Sequence, residues 1–301
     1  MHDLPAMYKK HLSYLIDLYQ TVTVDGNFIK RPVNTKMNDL EVMALAITGE
    51  AASIPSENLL FAEIKKHFRE DFPMLVDRTR FNRRRRSLEP RFKESAGLLG
   101  DRMDDGRSAL LVDSMPCPIV HNAREHRMKI CMEDLGTAPR KGYSAVDRRY
   151  YIGYKLHLLM STQGIFHDMA VTPANVHDIK FLKERQYDGS EERQIIGDRG
   201  YISRELQADL FTSYGIELLT PPRKNQLVKS AFSPERRKNR KFIETRFSQL
   251  CSQFSIKINL AKSFKGFLTR VSSKLAAVAM LQMFNRENNR PINRIRHAWN
   301  Y

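Results

Sequence analysis

Three acidic residues, Asp113, Asp198 and Glu244, have the types and the placement for metal-assisted phosphodiester chemistry. Asp113 closes the strand-like run Ser108 to Val112, and Asp198 closes another, Arg193 to Gly197. Glu244 rides a helical pattern carrying Phe242, Ile243, Phe247, Leu250 and Phe254. Two aspartates ending neighbouring strands of a mixed sheet lie side by side, and a glutamate on a helix packed nearby reaches the same point. Acids gathered in this way repel one another unless cations bind between them, and an oxygen-only donor set suits Mg²⁺ or Mn²⁺. Two such ions lower the pKa of a water or a 3′ hydroxyl and stabilise the leaving oxygen of an in-line displacement, which gives strand cleavage and strand transfer from one site. Read singly, each acid is equally a cap or a turn residue, as Gly197-Asp198-Arg199-Gly200 illustrates. The order of the three along the chain carries the metal reading.

The elements needed to position them are legible from residue 105 onward. After the Ser108 to Val112 strand, Ser114 to Arg149 is rich in Arg, Lys and Pro and reads as a basic surface loop inserted into the domain. Tyr150 to Met160 and Ile165 to Val171 form a hairpin about Gln163-Gly164. Val176 to Glu184 has helical spacing, Ser203 caps a helix that Gly215 ends, and Ile216 to Leu219 is a fifth strand stopped by Pro221-Pro222. The Glu244 helix and a last helix, Lys265 to Asn288, close the domain. This predicts an α/β fold over 105–301, a mixed five-stranded sheet flanked by helices. Residues 1–104 read as an all-helical DNA-binding region, with Leu12, Leu15, Ile16 and Tyr19 on one face and Asn38 capping a second helix. A third helix, Leu59 to Phe68, follows the break at Gly49 to Pro55, a spacing compatible with a helix-turn-helix.

Charge points to a polyanionic partner. Lys and Arg number 50 against 34 Asp and Glu, a net charge of +16. The candidates for contact with double-stranded DNA are the run Arg83, Arg84, Arg85 and Arg86, then Arg148, Arg149 and Lys155 among Tyr143, Tyr150, Tyr151 and Tyr154, then Arg199, Arg223, Lys224 and Arg240. A solvated helix face and ordinary strand packing are the plainer alternatives for these groups. His177 and Asn175 are possible auxiliary residues, whereas Asp178 reads as a helix cap. Three cysteines without a C-x-x-C pair argue against a disulfide framework. No run of about 18 apolar residues and no signal peptide is present, so a cytoplasmic, nucleoid-associated protein is expected.

The strings L-L-V-D-S-M-P-C-P (110–118), Y-I-G-Y-K-L-H-L (151–158), V-T-P-A-N-V-H-D-I-K-F-L (171–182), I-I-G-D-R-G-Y-I-S (195–203) and F-I-E-T-R-F-S-Q-L (242–250) resemble the catalytic core of bacterial insertion-sequence transposases with a DDE triad, closest to the insertion-sequence 982 family. The resemblance implies an RNase H-like fold, Mg²⁺-dependent cleavage at terminal inverted repeats, and joining of the freed 3′ ends to target DNA. It places Asp113, Asp198 and Glu244 at the triad positions, and paired DNA ends imply a homodimer on DNA. One departure stands out: where many relatives carry Tyr and Lys around the glutamate, Arg237 and Cys251 stand here, leaving Lys257 or Lys262 as replacements for the lysine. Two other readings stay open, a metal-dependent nuclease that does not join strands and a domesticated DNA-binding protein that no longer catalyses.

Overall fold

Capping chemistry fixes where most of the helices begin. The structure, a computed structural model, describes residues 3–30, 35–104, 109–187, 193–222, 233–258 and 260–299. In chain order its elements are α1 (Leu4–Tyr19), α2 (Asp39–Ala51), α3 (Glu57–His67), α4 (Arg78–Ser87), α5 (Glu89–Met103), β1 (Ala109–Val120), β2 (Arg140–Ser144), β3 (Arg149–Ser161), β4 (Phe166–Pro173), α6 (Ile179–Glu184), β5 (Gln194–Ile196), α7 (Arg204–Tyr214), β6 (Glu217–Leu219), α8 (Pro234–Ser252) and α9 (Phe264–Glu287). Asn38 opens α2 with a reciprocal box: its Oδ1 accepts from Glu41 N at 2.8 Å while Glu41 Oε2 accepts from Asn38 N at 2.6 Å. Ser56, Asp77, Ser203 and Ser263 cap α3, α4, α7 and α9 in the simpler one-sided way.

The chain divides into two compact units, one made of residues 1–100 with 252–301 and the other of 101–251. In the helical unit, α2 is buried on every side, and α9 buries Phe267, Val271, Leu275, Val278 and Leu281 together with Ser272, Ser273 and Gln282. A helix covered all round needs neighbours all round, and α9 finds them in α2 and α4. The sequence reading had this helix closing the second domain; it is instead part of the helical unit. Among the buried groups, Glu50 meets Arg85 at 2.6 Å, Arg270 at 3.7 Å and Lys274. Burial alone raises the Glu50 pKa, but Lys274, Arg270 and Arg85 outweigh it and hold the carboxyl at about 2.

The sheet unit carries six strands in the order β2-β3-β1-β5-β6, with β4 also on β3. β3 is antiparallel to β1, β2 and β4, while β5 and β6 run parallel to β1. The expected hairpin is present as β3–β4, and the expected mixed sheet is confirmed with one strand more. That strand, β2, comes from the segment read as a loop. Ser114 to Val120 is likewise not loop but the continuation of β1, paired with β3 down to Val120↔Ile152. Two prolines, Pro116 and Pro118, disguised it, since proline within a run argues against a strand. At the register shift between Pro118 and Val120, Gly153 passes so close that an added Cβ would stand 2.2 Å from Cys117 O. One face of the sheet packs Leu110, Val112, Leu159 and Ile195 against Phe181, Leu182, Leu206 and Leu210 of α6 and α7. Arg246 of α8, itself buried, donates to Gly164 O at 2.8 Å and so ties α8 to the β3–β4 turn.

Candidate active site

Register brings the two aspartates together. The parallel pair Leu111↔Ile196 is the last between β1 and β5, and both acids stand two residues further on, Asp113 within a β1 that continues and Asp198 just beyond the end of β5. Asp113 therefore does not end its strand, as the sequence suggested, but lies inside it opposite Leu158 of β3. Strand alternation puts Asp113 on the face away from the Leu110 and Val112 cluster. Asp198 caps a single 3-10 turn, its Oδ1 accepting from Gly200 N at 2.8 Å. Burial and the neighbouring Asp198 charge push the Asp113 carboxyl up from 3.8 to about 7, against the Ser114 N–H, which donates to it at 2.8 Å, and the Arg240 charge.

From α8, Arg240 reaches Asp113 at 3.9 Å. Glu244, one turn later, lines a cleft of about 630 Å³ with Asp198, Arg199, Pro221, Pro222, Arg240 and Lys241. Asp198 and Glu244 thus line one cleft, and Arg240 of the same cleft reaches Asp113. Lys241 is a cation beside Glu244 that the sequence reading passed over, whereas Lys257 and Lys262 belong to the helical unit.

Asp178 is a fourth acid in the same place. Its backbone is already helical and its side chain makes no capping bond. The carboxylate accepts instead from Ser114 Oγ at 2.9 Å and Lys155 Nζ at 3.0 Å, and Lys155 also donates to Val176 O at 2.8 Å. Lys155 is therefore held beside the acids, not displayed on the surface for DNA. Alternation along β1 and β3 could have flagged Ser114 and Lys155 as facing the start of α6; nothing in N-V-H-D distinguishes a cap from this role. Asn175 and His177 are both exposed nearby, and His177 Nδ1 accepts from Ile179 N at 3.4 Å. Beneath the acids lies Tyr201, wholly buried, whose hydroxyl has no hydrogen-bond partner among the described residues. Burial and the charges of Asp178, Asp113 and Asp198 drive its pKa well above 10.

The remaining cations are scattered. Arg83 is exposed, but Arg84 donates to Asp39 Oδ1 at 2.6 Å and to Met37 O, and Arg85 is buried between Glu50 and Glu57. The arginine run is thus neither a solvated face nor a uniform DNA face, because its inward members neutralise buried carboxylates. Arg148 and Arg149 are exposed at the β2–β3 turn, close in sequence to the exposed Tyr150, which packs on Tyr143 at 5.2 Å. Tyr151 and Tyr154 are buried. Arg199 is exposed in the cleft, while Arg223 and Lys224 lie outside the described residues.

The donor chemistry fits hard divalent cations. Among the described residues the site offers carboxylate oxygens, one carboxyl being pushed up to about 7 by burial and by its neighbour's charge, beside an orphaned buried hydroxyl. Among the described residues no three such side chains already stand close enough to share an ion.

A mixed RNase H-like sheet with one aspartate on a strand, a second just past the end of the adjoining strand and a glutamate on a later helix is the arrangement of the DDE class of catalytic domains. The chain belongs to the family described as "Transposase DDE domain", which matches residues 104–280, more than half of its length. No curated protein and no solved structure matches it. Among the described residues, no helix is long and apolar enough to cross a membrane.

Proposed function

We propose that this chain is the transposase of an insertion sequence similar to the 982 family, and that it cuts double-stranded DNA at terminal inverted repeats and joins the freed 3′ ends to a target. The observation that carries this reading is the placement of Asp113 and Asp198 at the same level of β1 and β5, where burial first and the Asp198 charge second push the Asp113 carboxyl up to about 7. Asp113, Asp198 and Glu244 would hold two Mg²⁺ or Mn²⁺ ions. Bound there, the ions supply an activated water or 3′ hydroxyl and stabilise the leaving oxygen. Arg240 and Lys241, at the same cleft, hold the scissile phosphate in place, since a guanidinium fork and an ammonium both match phosphate oxygens. Asp178 holds the Lys155 ammonium at 3.0 Å and so fixes the local charge before DNA arrives. A homodimer assembles on the paired ends.

The test is a strand-transfer assay with precut inverted-repeat ends in Mg²⁺. Wild type is expected to join them, and Asp198→Asn and Glu244→Gln are expected to lose joining while still binding the ends. Cleavage without joining by wild type would return the protein to a simple nuclease, and binding with neither reaction to a non-catalytic DNA-binding protein.

A further inference from the structure

The helical unit holds a second cationic site. A cleft of about 450 Å³ lies between the starts of α3, α4 and α9, lined by Ser56, Asn58, Arg78, Arg86, Lys262 and Arg270, among others. Its floor is the buried network around Glu50. There three cations, Arg85, Arg270 and Lys274, face two carboxylates, Glu50 and Glu57. Glu57 also lines the cleft, but both of its oxygens are engaged, one by Asn82 Nδ2 at 2.7 Å and one by Arg85 at 3.2 Å. The floor is therefore left with one positive charge in excess. Arg78, Arg86 and Lys262 add three more, and none of them has a carboxylate partner among the described residues.

Four uncompensated cations around one cleft repel one another, an arrangement that an anion relieves. Further donors point the same way. Arg85, which lines the cleft and is nine-tenths buried, keeps its Nε without a hydrogen-bond partner among the described residues, as do the lining residues Arg86 and Arg270. The first turns of α3 and of the 24-residue α9 add the positive ends of their dipoles. Gly266, in that turn of α9, carries no side chain to cover it, and Arg86 Cδ would lie 3.9 Å from an added Cβ.

We infer that this cleft is a phosphate-binding site that clamps the DNA backbone away from the catalytic carboxylates. The inference rests on the reading of DNA as the partner. It moves the contact from the arginine run as a whole to Arg86, joined by Arg78 from the same helix and by Lys262 and Arg270 from the far end of the chain. Arg84 and Arg85 serve the fold.

The test compares the full chain with the double variant Arg86→Gln, Lys262→Gln, neither residue having an ion pair to lose; an unchanged melting temperature checks the fold, and Arg86→Lys should restore most of the binding. Anisotropy with a labelled inverted-repeat duplex is measured against salt, and inorganic phosphate is titrated by calorimetry. Losing two phosphate contacts lowers the slope of log K against log salt by about 1.8 and weakens binding roughly 60-fold at 0.1 M salt. Wild-type DNA binding with the same slope in the variant overturns the clamp and leaves the transposase reading standing. Phosphate binding lost in the variant without any change in the DNA slope makes the site one for free phosphate and also overturns it. A wild type that binds neither DNA nor phosphate sinks the clamp and the DNA reading together.

Discussion

Replacing Asp113 with asparagine should stabilise the metal-free sheet unit by an amount that grows as pH rises from about 4 and levels off above about 7. The Asp113 carboxyl is pushed from 3.8 up to about 7 in the folded protein. Between those values the folded state holds a proton that the unfolded chain has released, so stability falls as pH rises through the window and stays low above it. Each pH unit is worth about 1.4 kcal/mol, which sets a ceiling on the order of 4 kcal/mol. The side chain keeps 18% exposure, and solvent screening reduces the expected gain to about 2 kcal/mol. Asparagine keeps the acceptor that Ser114 N–H uses but carries no charge to repel Asp198. Hydrogen exchange at the Leu110 to Val112 amides reads the sheet unit alone: wild type and Asp113→Asn should coincide near pH 4 and separate progressively toward pH 8. Adding Mg²⁺ at pH 8 should then protect wild type and leave the variant unaffected. A difference that does not depend on pH, or equal protection of both by Mg²⁺, would refute the view that two close carboxylates await a cation.

Two further outcomes follow from other parts of the fold. Asp178→Asn removes the carboxylate that orients Lys155, and cleavage should fall about 10- to 100-fold with DNA affinity unchanged; a wild-type rate would make the Lys155 ion pair incidental. Glu50→Gln leaves Arg85, Lys274 and Arg270 without their shared counter-charge and should cost roughly 3–5 kcal/mol in the helical unit. Because the Glu50 carboxyl is held at about 2 against its usual 4.5, its stabilisation is complete above pH 4.5 and is lost as pH falls toward 2. Denaturant melts followed through Trp299 should show that acid loss in wild type and a flat response in the variant.

Much of the catalytic unit was legible because its signals are local. The hairpin, the Ser203 cap, the left-handed Gly215 and the aspartates at matching levels of β1 and β5 each follow from a few neighbouring residues. The segment 114–149 was misread because prolines and positive charges mask an extended strand whose partner, β3, lies farther along the chain. Asp178 was misread because an acid at a helix start satisfies the capping pattern, and only tertiary packing reveals Lys155 and Ser114 waiting for it. The arginine run illustrates the same limit: four consecutive identical residues have four different surroundings, set by Asp39, Glu50 and Glu57 on other helices.

The division of the helical unit between the two ends of the chain has a consequence for biosynthesis. When α1 to α5 emerge from the ribosome, α9 has yet to be made, and the apolar sides of α2 that it will cover have nothing to rest against. Residues 101–251 are complete before that and can fold while the earlier helices wait. A nascent chain stalled before residue 264 would therefore carry a finished catalytic sheet beside an open, adhesive helical half, and a fragment begun at residue 105 would carry the reverse fault, an apolar α9 without its groove.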